Sequence, residues 1–258
     1  MTRHPAARLS SALPLRALLA VLVVAIAAGC QLDVRVALDV EPDGTGSVTV
    51  EGALDEAAVA QVPDLAEQLV VDDLVEGGWT VTGPVAEADG RTRIRASKPF
   101  TSLEDAGAVL SEVSGVDGPF RDFQVRRSST LVHDEWDFSG TVDLSQGLAA
   151  FSDEALRERL DGTDVGRSVD ELVAAAGRPL EEAVTFTVAV ALPGRTSSDA
   201  PDGGDRSAVW RPVLGDVMPL AATGRQLNTA SLSWLAVAAV AVLALVVVLA
   251  VGGHRRRR

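Results

Sequence analysis

The chain has a single cysteine, a single lysine and no tyrosine, and each scarcity closes off an explanation. Cys30 alone cannot form an intramolecular disulfide, so any folded domain must rest on its apolar core, which a chain of 258 residues can supply. Bases are scarce where acids are plentiful. Residues 31–231 hold all 36 acidic side chains but only 16 of the 23 basic ones, a net charge of −20, and such a domain repels nucleic acid. Histidine occurs three times, and only His133 lies away from the ends. No G-x-S-x-G stretch supplies a nucleophile elbow. Aromatic residues make up 4% of the chain, which leaves Val, Leu and Ala to build most of the interior. Such side chains either pack tightly or leave a groove for acyl chains between sheet and helices, and the sequence leaves both open.

What is present is concentrated first at the two ends. Arg3, Arg8 and Arg16 precede an apolar stretch, residues 17–26, of about 10 residues, too short to span a bilayer that needs roughly 20. It ends in Ala27-Ala28-Gly29-Cys30, which resembles the lipobox of bacterial lipoproteins. In that family the cysteine thiol carries diacylglycerol and becomes the first residue after cleavage, so lipidation is expected at Cys30, although Ala27 stands where leucine is usual. Residues 232–251 form an apolar run followed by Gly-Gly-His and four arginines. The length fits a transmembrane helix, the arginines hold its end in the cytoplasm, and Trp234 suits the outer interface. The expected organisation is a signal peptide (1–29), an external domain (30–220), a juxtamembrane linker (221–231), a membrane helix (232–251) and a basic cytoplasmic tail (252–258). Two acyl chains and a helix would hold such a domain permanently on the outer face of the cell membrane.

Between the ends, "LDVRVALDV" alternates apolar and polar residues as a half-buried strand does, and a turn at "PDGTG" leads to a second strand. Residues 54–74 read as helix with a break at Pro63, and Asp89-Gly90 suits the turn of a second hairpin. Thr101 with Glu104 forms a capping box ahead of Leu103, Ala106, Val109, Leu110 and Val113. A strand over 123–132 pairs with one carrying Trp136, Phe138, Val142 and Leu144 on one face, and short helices are expected at 152–160 and 168–176. "VTFTVAVAL" is a further strand, a polar loop follows over 194–207, and "AVWRPVL" is the last strand. Hairpins with one apolar face need helices to cover it, so the expected class is α+β: an antiparallel sheet with helices packed on one face, plus the C-terminal transmembrane helix.

The lipobox cysteine, the Asp43-Gly44-Thr45-Gly46 turn, Leu192-Pro193-Gly194, Val209-Trp210 and the terminal helix with its arginines, taken in order, resemble the LppM-type lipoproteins of mycobacteria and their relatives. Pro201-Asp202-Gly203-Gly204 stands where the mycobacterial examples often keep Asn-Gly. The resemblance implies an envelope lipoprotein with a mixed α/β external domain that binds envelope lipids such as mannosylated phosphoinositides. It implies no catalytic residue and no cofactor.

Three clusters remain as candidate sites. Arg91, Arg93 and Arg95 form a row on one face of a strand, with Arg126 and Arg127 on another strand, and guanidinium geometry suits a phosphorylated lipid headgroup. The plainer reading of that row is a solvated face paired with neighbouring acids. His133-Asp134-Glu135 looks catalytic, but adjacent residues of a strand point to opposite faces, so a surface turn is the better expectation and no enzyme is foreseen. Asp199, Asp202 and Asp205 lack the EF-hand spacing and its closing glutamate, so no metal is expected there. The expectation is therefore a non-enzymatic lipid- or glycolipid-binding domain. Its rival is a protein-interaction module beside the membrane that uses Trp79, Trp136 or Trp210 as an exposed anchor.

Overall fold

A computed structural model describes residues 31–61, 72–114, 118–146 and 184–229, with scattered residues between 231 and 241. The signal peptide, Cys30, the break at Pro63, the helices expected at 152–160 and 168–176, and the cytoplasmic tail lie outside the described residues. So does most of 232–251; among the described residues no helix is long and apolar enough to cross a membrane.

The alternation of the first stretch becomes β1 (Leu32–Val40), which buries every second side chain and pairs with β2 (Gly46–Leu54) in an antiparallel hairpin. Its turn is closed by Asp43, whose Oδ1 accepts from the Thr45 amide at 3.0 Å and the Thr45 hydroxyl at 2.7 Å. Gly44 there takes φ +90°, a conformation that other residues rarely adopt. Helices α1 (Glu56–Gln61) and α2 (Asp72–Glu76) follow, then β3 (Thr80–Ala86) and β4 (Thr92–Phe100), joined by the expected turn at Gly90. α3 (Leu103–Ser114) is capped one residue later than the sequence suggests: Ser102 Oγ accepts from the Asp105 amide at 3.2 Å and donates to Asp105 Oδ2 at 2.7 Å.

β5 (Phe120–Ser129) and β6 (His133–Asp143) form the next hairpin, three residues ahead of the start expected for the first of these strands. Beyond the undescribed segment come β7 (Val184–Ala191), β8 (Arg195–Ser198), β9 (Asp202–Gly204), β10 (Ser207–Trp210) and β11 (Val217–Leu227). Two short strands thus occupy what reads as a polar loop. The stretch expected as a linker from residue 221 is the second half of β11, so the domain extends to Leu227 and only residues 228–231 separate it from the apolar run.

These strands make two sheets rather than one. The larger has the order β3-β4-β2-β1-β7-β10-β9, and the smaller β5-β6-β11-β8. The larger is not wholly antiparallel, because β1 lies parallel to β7 from Leu32↔Val184 to Asp39↔Ala191. The described residues are predominantly β with few helices, and among them the expected single sheet covered by helices is replaced by two sheets sharing one core. α3 packs chiefly on β5 and reaches β2 and β4, which fits the expectation of a helix against sheet but at the rim of the sandwich.

The inner faces meet through Leu32, Val34, Val36, Val188 and Trp210 on one side and Trp136, Phe138, Val142 and Leu220 on the other. Aromatic rings run across the interface from Phe120 to Phe123 (5.8 Å), Phe138 (5.7 Å) and Trp210 (6.0 Å). Phe123 reaches this position through a β-bulge at Asp122 (φ 56°) and sits over Gly140, where an added Cβ would fall 2.0 Å from its ring. The chain passes between sheets at Leu192-Pro193-Gly194. Gly194 has φ +80°, and a Cβ on it would meet the Arg225 carbonyl at 2.0 Å.

This crossing fixes the direction of the strands. The ends of β1 and β7 lie at the same end of the sandwich as Arg225 and Leu227, so Gln31, at the start of β1, lies at the opposite end.

Candidate functional site

The outer face of the large sheet carries the residues on which the sequence places a ligand. Arg93 and Arg95 point outward from β4, as the alternation about the buried Ile94 requires, and Arg91 lies just before the strand. None of the three guanidiniums is free. Arg91 pairs with Asp33 of β1. Arg93 meets Asp89 at 2.7 Å, Glu51 of β2 at 3.4 Å, and Glu87. Arg95 donates twice to Glu51, at 3.0 Å and 2.5 Å. The acids come from β1, β2 and the β3–β4 turn, with Glu51 directly opposite Arg95 in the register. The row is an ionic lattice across three strands, as the plainer reading expects.

Arg126 and Arg127 belong to the other sheet and do not join this row. They also part from each other, as adjacent strand residues must. Arg126 is exposed opposite Asp137, whereas Arg127, also exposed, lies on the Trp136 side of the strand. Its guanidinium lies 5.1 Å from the Trp136 ring centroid and 3.3 Å from Asp134 Oδ2. Asp134, 9% exposed, is the one buried charged residue among the described residues, and it also accepts from Ser129 Oγ at 2.6 Å. The Arg127 charge reaches the β1–β2 turn as well. It adds to the lowering of the Asp43 pKa, which the Thr45 hydroxyl and amide chiefly cause.

A shallow depression lies beside the lattice, with a volume of ≈ 240 Å³, lined by Arg35, Ala37, Asp39, Ser47, Thr49 and Glu51 of β1 and β2. Its floor is made of short side chains, and Thr49 and Ser97 share a hydroxyl–hydroxyl contact at 3.1 Å. Arg35 stands exposed at its rim. Its register partner is Glu51, but Glu51 is engaged by Arg93 and Arg95, and Arg35 makes no ion pair among the described residues. Among the described residues, the guanidinium on this face without an ion pair is therefore that of Arg35. The sequence shows it only as one more polar residue of an alternating strand. A second depression, ≈ 120 Å³, is lined by Val184, Phe186, Val213 and Leu214 among others. Both fall below the roughly 300 Å³ at which ordinary ligand pockets begin, so the larger offers a footprint for a sugar or headgroup rather than for a whole lipid. Between the sheets, Phe123, Phe138 and Trp210 pack against one another in the core.

The other clusters resolve into structural parts. His133 is exposed at the start of β6, its amide bonded to Thr130 Oγ1 at 3.0 Å, while the neighbouring Asp134 faces inward to Ser129 and Arg127. Asp199 accepts from Trp210 Nε1 at 2.9 Å and from the Ala221 amide at 3.2 Å, which ties the two sheets together. Asp202 pairs with Arg211, and among the described residues no group of three or more metal-ligating side chains gathers. Trp79, Trp136 and Trp210 are 4%, 1% and 2% exposed, so none can serve as the surface anchor of a protein partner.

The residues that carry the family resemblance are likewise joints of the fold. Leu192 and Pro193 lie against Gly224, Trp210 bridges the sheets through Asp199, and Gly46 leaves room for the Phe100 ring. A family model, the LppM domain, matches residues 33–226. Among solved structures, the chain is similar to the folded domain of LppM from Mycobacterium tuberculosis, determined by NMR, at 15% sequence identity and a TM-score of 0.42. The alignment covers 79% of this chain and 95% of that one. No curated protein matches the chain. The family model spans most of the sequence and all of the described strands but the last residue of β11 and the first of β1, and the protein belongs to the LppM domain family.

Proposed function

We propose that the protein is a membrane-anchored envelope lipoprotein whose external domain binds the polar headgroup of an envelope lipid or glycolipid without transforming it. The observation that carries this reading is Arg35, without an ion pair among the described residues, at the rim of the open depression on β1 and β2. Arg35 supplies a bidentate donor for a phosphate, and Asp39 with the Ser47 and Thr49 hydroxyls offers partners for sugar hydroxyls. The short floor lets a ring approach the sheet. Arg91, Arg93 and Arg95 act at one remove, holding Glu51 and Asp33 so that the carboxylates do not claim Arg35. A binding role is also favoured by the packed interior and by the divergence of His133 from Asp134 and Ser129.

The test is native mass spectrometry of the full chain equilibrated with an envelope lipid extract. A retained lipid is expected, weakened by about tenfold in Arg35→Ala, the loss of one charge-assisted hydrogen-bonding group. Arg126→Ala, on the other sheet and without an ion pair among the described residues, is expected to leave retention unchanged. Folded protein that retains no lipid, or equal retention by Arg35→Ala, overturns the reading.

A further inference from the structure

Exposed apolar side chains concentrate at one end of the smaller sheet. Leu131 (68% exposed) and Val132 (43%) form the tip of the β5–β6 hairpin, and Leu227 (54%) ends β11 beside them. Trp234 (74%), Val237 and Val240 continue the series on the helical residues that follow. In a domain so rich in acids, the two segments that meet here, 128–133 and 226–234, contain no carboxylate.

The tip is fastened to the chain that leaves the domain. The Thr130 amide and hydroxyl both donate to the His133 carbonyl, at 2.8 Å and 2.9 Å, which closes the hairpin. Asn228 then binds it from outside. Its amide donates to the Val132 carbonyl at 2.8 Å, and its side-chain Nδ2 donates to the Thr130 carbonyl at 3.1 Å. The same side chain accepts at Oδ1 from the Ser231 amide at 3.0 Å, which caps the first turn of the following helical residues. One residue thus joins the hairpin tip to the start of the helix.

Distance then sets where the tip must sit. On the proposed reading of 232–251 as a membrane helix, which rises about 1.5 Å per residue, the apolar run would start about 6 Å beyond Asn228. The headgroup region on each side of a bilayer is itself roughly 6 Å deep. A tip bonded to Asn228 would then lie within that layer, where leucine and valine gain an apolar environment and a carboxylate would be repelled by anionic lipid.

We infer that Leu131, Val132 and Leu227 form a second membrane contact, an interfacial foot that seats the domain on the lipid surface beside its helix. The inference rests on the proposed reading of 232–251 as membrane-spanning. The occupant of this apolar patch is the headgroup–acyl boundary of the bilayer.

The test uses the full chain in phosphatidylcholine–phosphatidylglycerol vesicles, with an environment-sensitive fluorophore on Leu131→Cys, Trp234→Cys or Val217→Cys, each in a Cys30→Ser background. Val217 is the reference; it is exposed and opens β11, about 34 Å along the strand from Leu227. Circular dichroism checks that each labelled chain is folded. Lipids carrying a nitroxide near the top of the acyl chain are expected to quench positions 131 and 234 several-fold more than position 217. Quenching at 234 with none at 131 overturns the foot while leaving the helix in place, and the patch then falls to a protein partner or a second copy. Quenching at neither position overturns the membrane-helix reading and the foot with it.

Discussion

The two sheets handle their charges in opposite ways. The larger keeps its ionic groups on the outer face, where Arg91, Arg93 and Arg95 share Asp33, Glu51, Glu87 and Asp89. The smaller buries one carboxylate, Asp134, against the half-exposed Arg127, with Trp136 beneath the guanidinium and Ser129 on the carboxylate. An exposed pair can lose a partner and return to water, whereas a buried carboxylate that loses its cation has nowhere to go. The outer lattice is therefore suited to shape a surface, and the Arg127–Asp134 pair to fix a packing arrangement.

The contrast can be broken most sharply at Arg127. Replacement by alanine leaves the buried Asp134 with Ser129 alone and uncovers Trp136, and is expected to cost about 1.5 kcal/mol in urea unfolding. In Arg127→Met/Asp134→Asn, where the buried charge is gone, about half of that loss should return. A cost equal to the single variant would mean that packing, not charge, is what Arg127 supplies. Arg93→Ala, which touches three carboxylates on the surface, is expected to cost about 1 kcal/mol, and Arg95→Ala about 0.5 kcal/mol, both shrinking in high salt. Equal costs at Arg127 and Arg95 would erase the distinction between the sheets.

The smallest effect is one of pH. Hydrogen bonds from the Ser145 side chain and amide lower the pKa of Asp143, with Arg121 assisting, and the Thr45 side chain and amide do the same for Asp43. A carboxylate whose folded pKa is depressed adds stability that is fully present above its unfolded pKa and disappears as pH falls through the folded value. Stability should therefore decline as pH falls below the ordinary aspartate value of 3.8, and Asp43→Asn with Asp143→Asn should flatten that part of the profile. A profile unchanged in the double variant would assign the decline to other acids.

Sequence pattern reveals these features unevenly. The alternation of β1 and β7 states which side chains go inward, yet nothing local says that residues 32 and 184 lie side by side in parallel. β11 escapes notice because its inward positions run Leu220, Ala222, Gly224, and a strand that alternates with alanine and glycine has almost no apolar signal. Gly224 is small for a reason that appears only in the fold, since Leu192 and Pro193 occupy the space where its Cβ would be. The arginine row and its pairing with acids are legible, but not which acids, because these arrive from β1, β2 and the β3–β4 turn. Arg35 illustrates the same limit from the other side. It became a candidate only once register showed that the acid opposite it was already taken.

The direction of β1 has a mechanical consequence. Gln31 opens that strand at the end of the sandwich away from Asn228, and a nine-residue strand is about 27 Å long. On the proposed topology the acyl chains on Cys30 and the helix after Asn228 enter one leaflet from opposite ends of a stiff body. Such a body cannot stand upright; it lies along the surface like a plank nailed at both ends, with its orientation and exposed side fixed. Releasing the acyl end alone would leave Asn228 as a hinge and swing the far end about 27 Å outward, so the lipid on one cysteine would set how far the domain reaches.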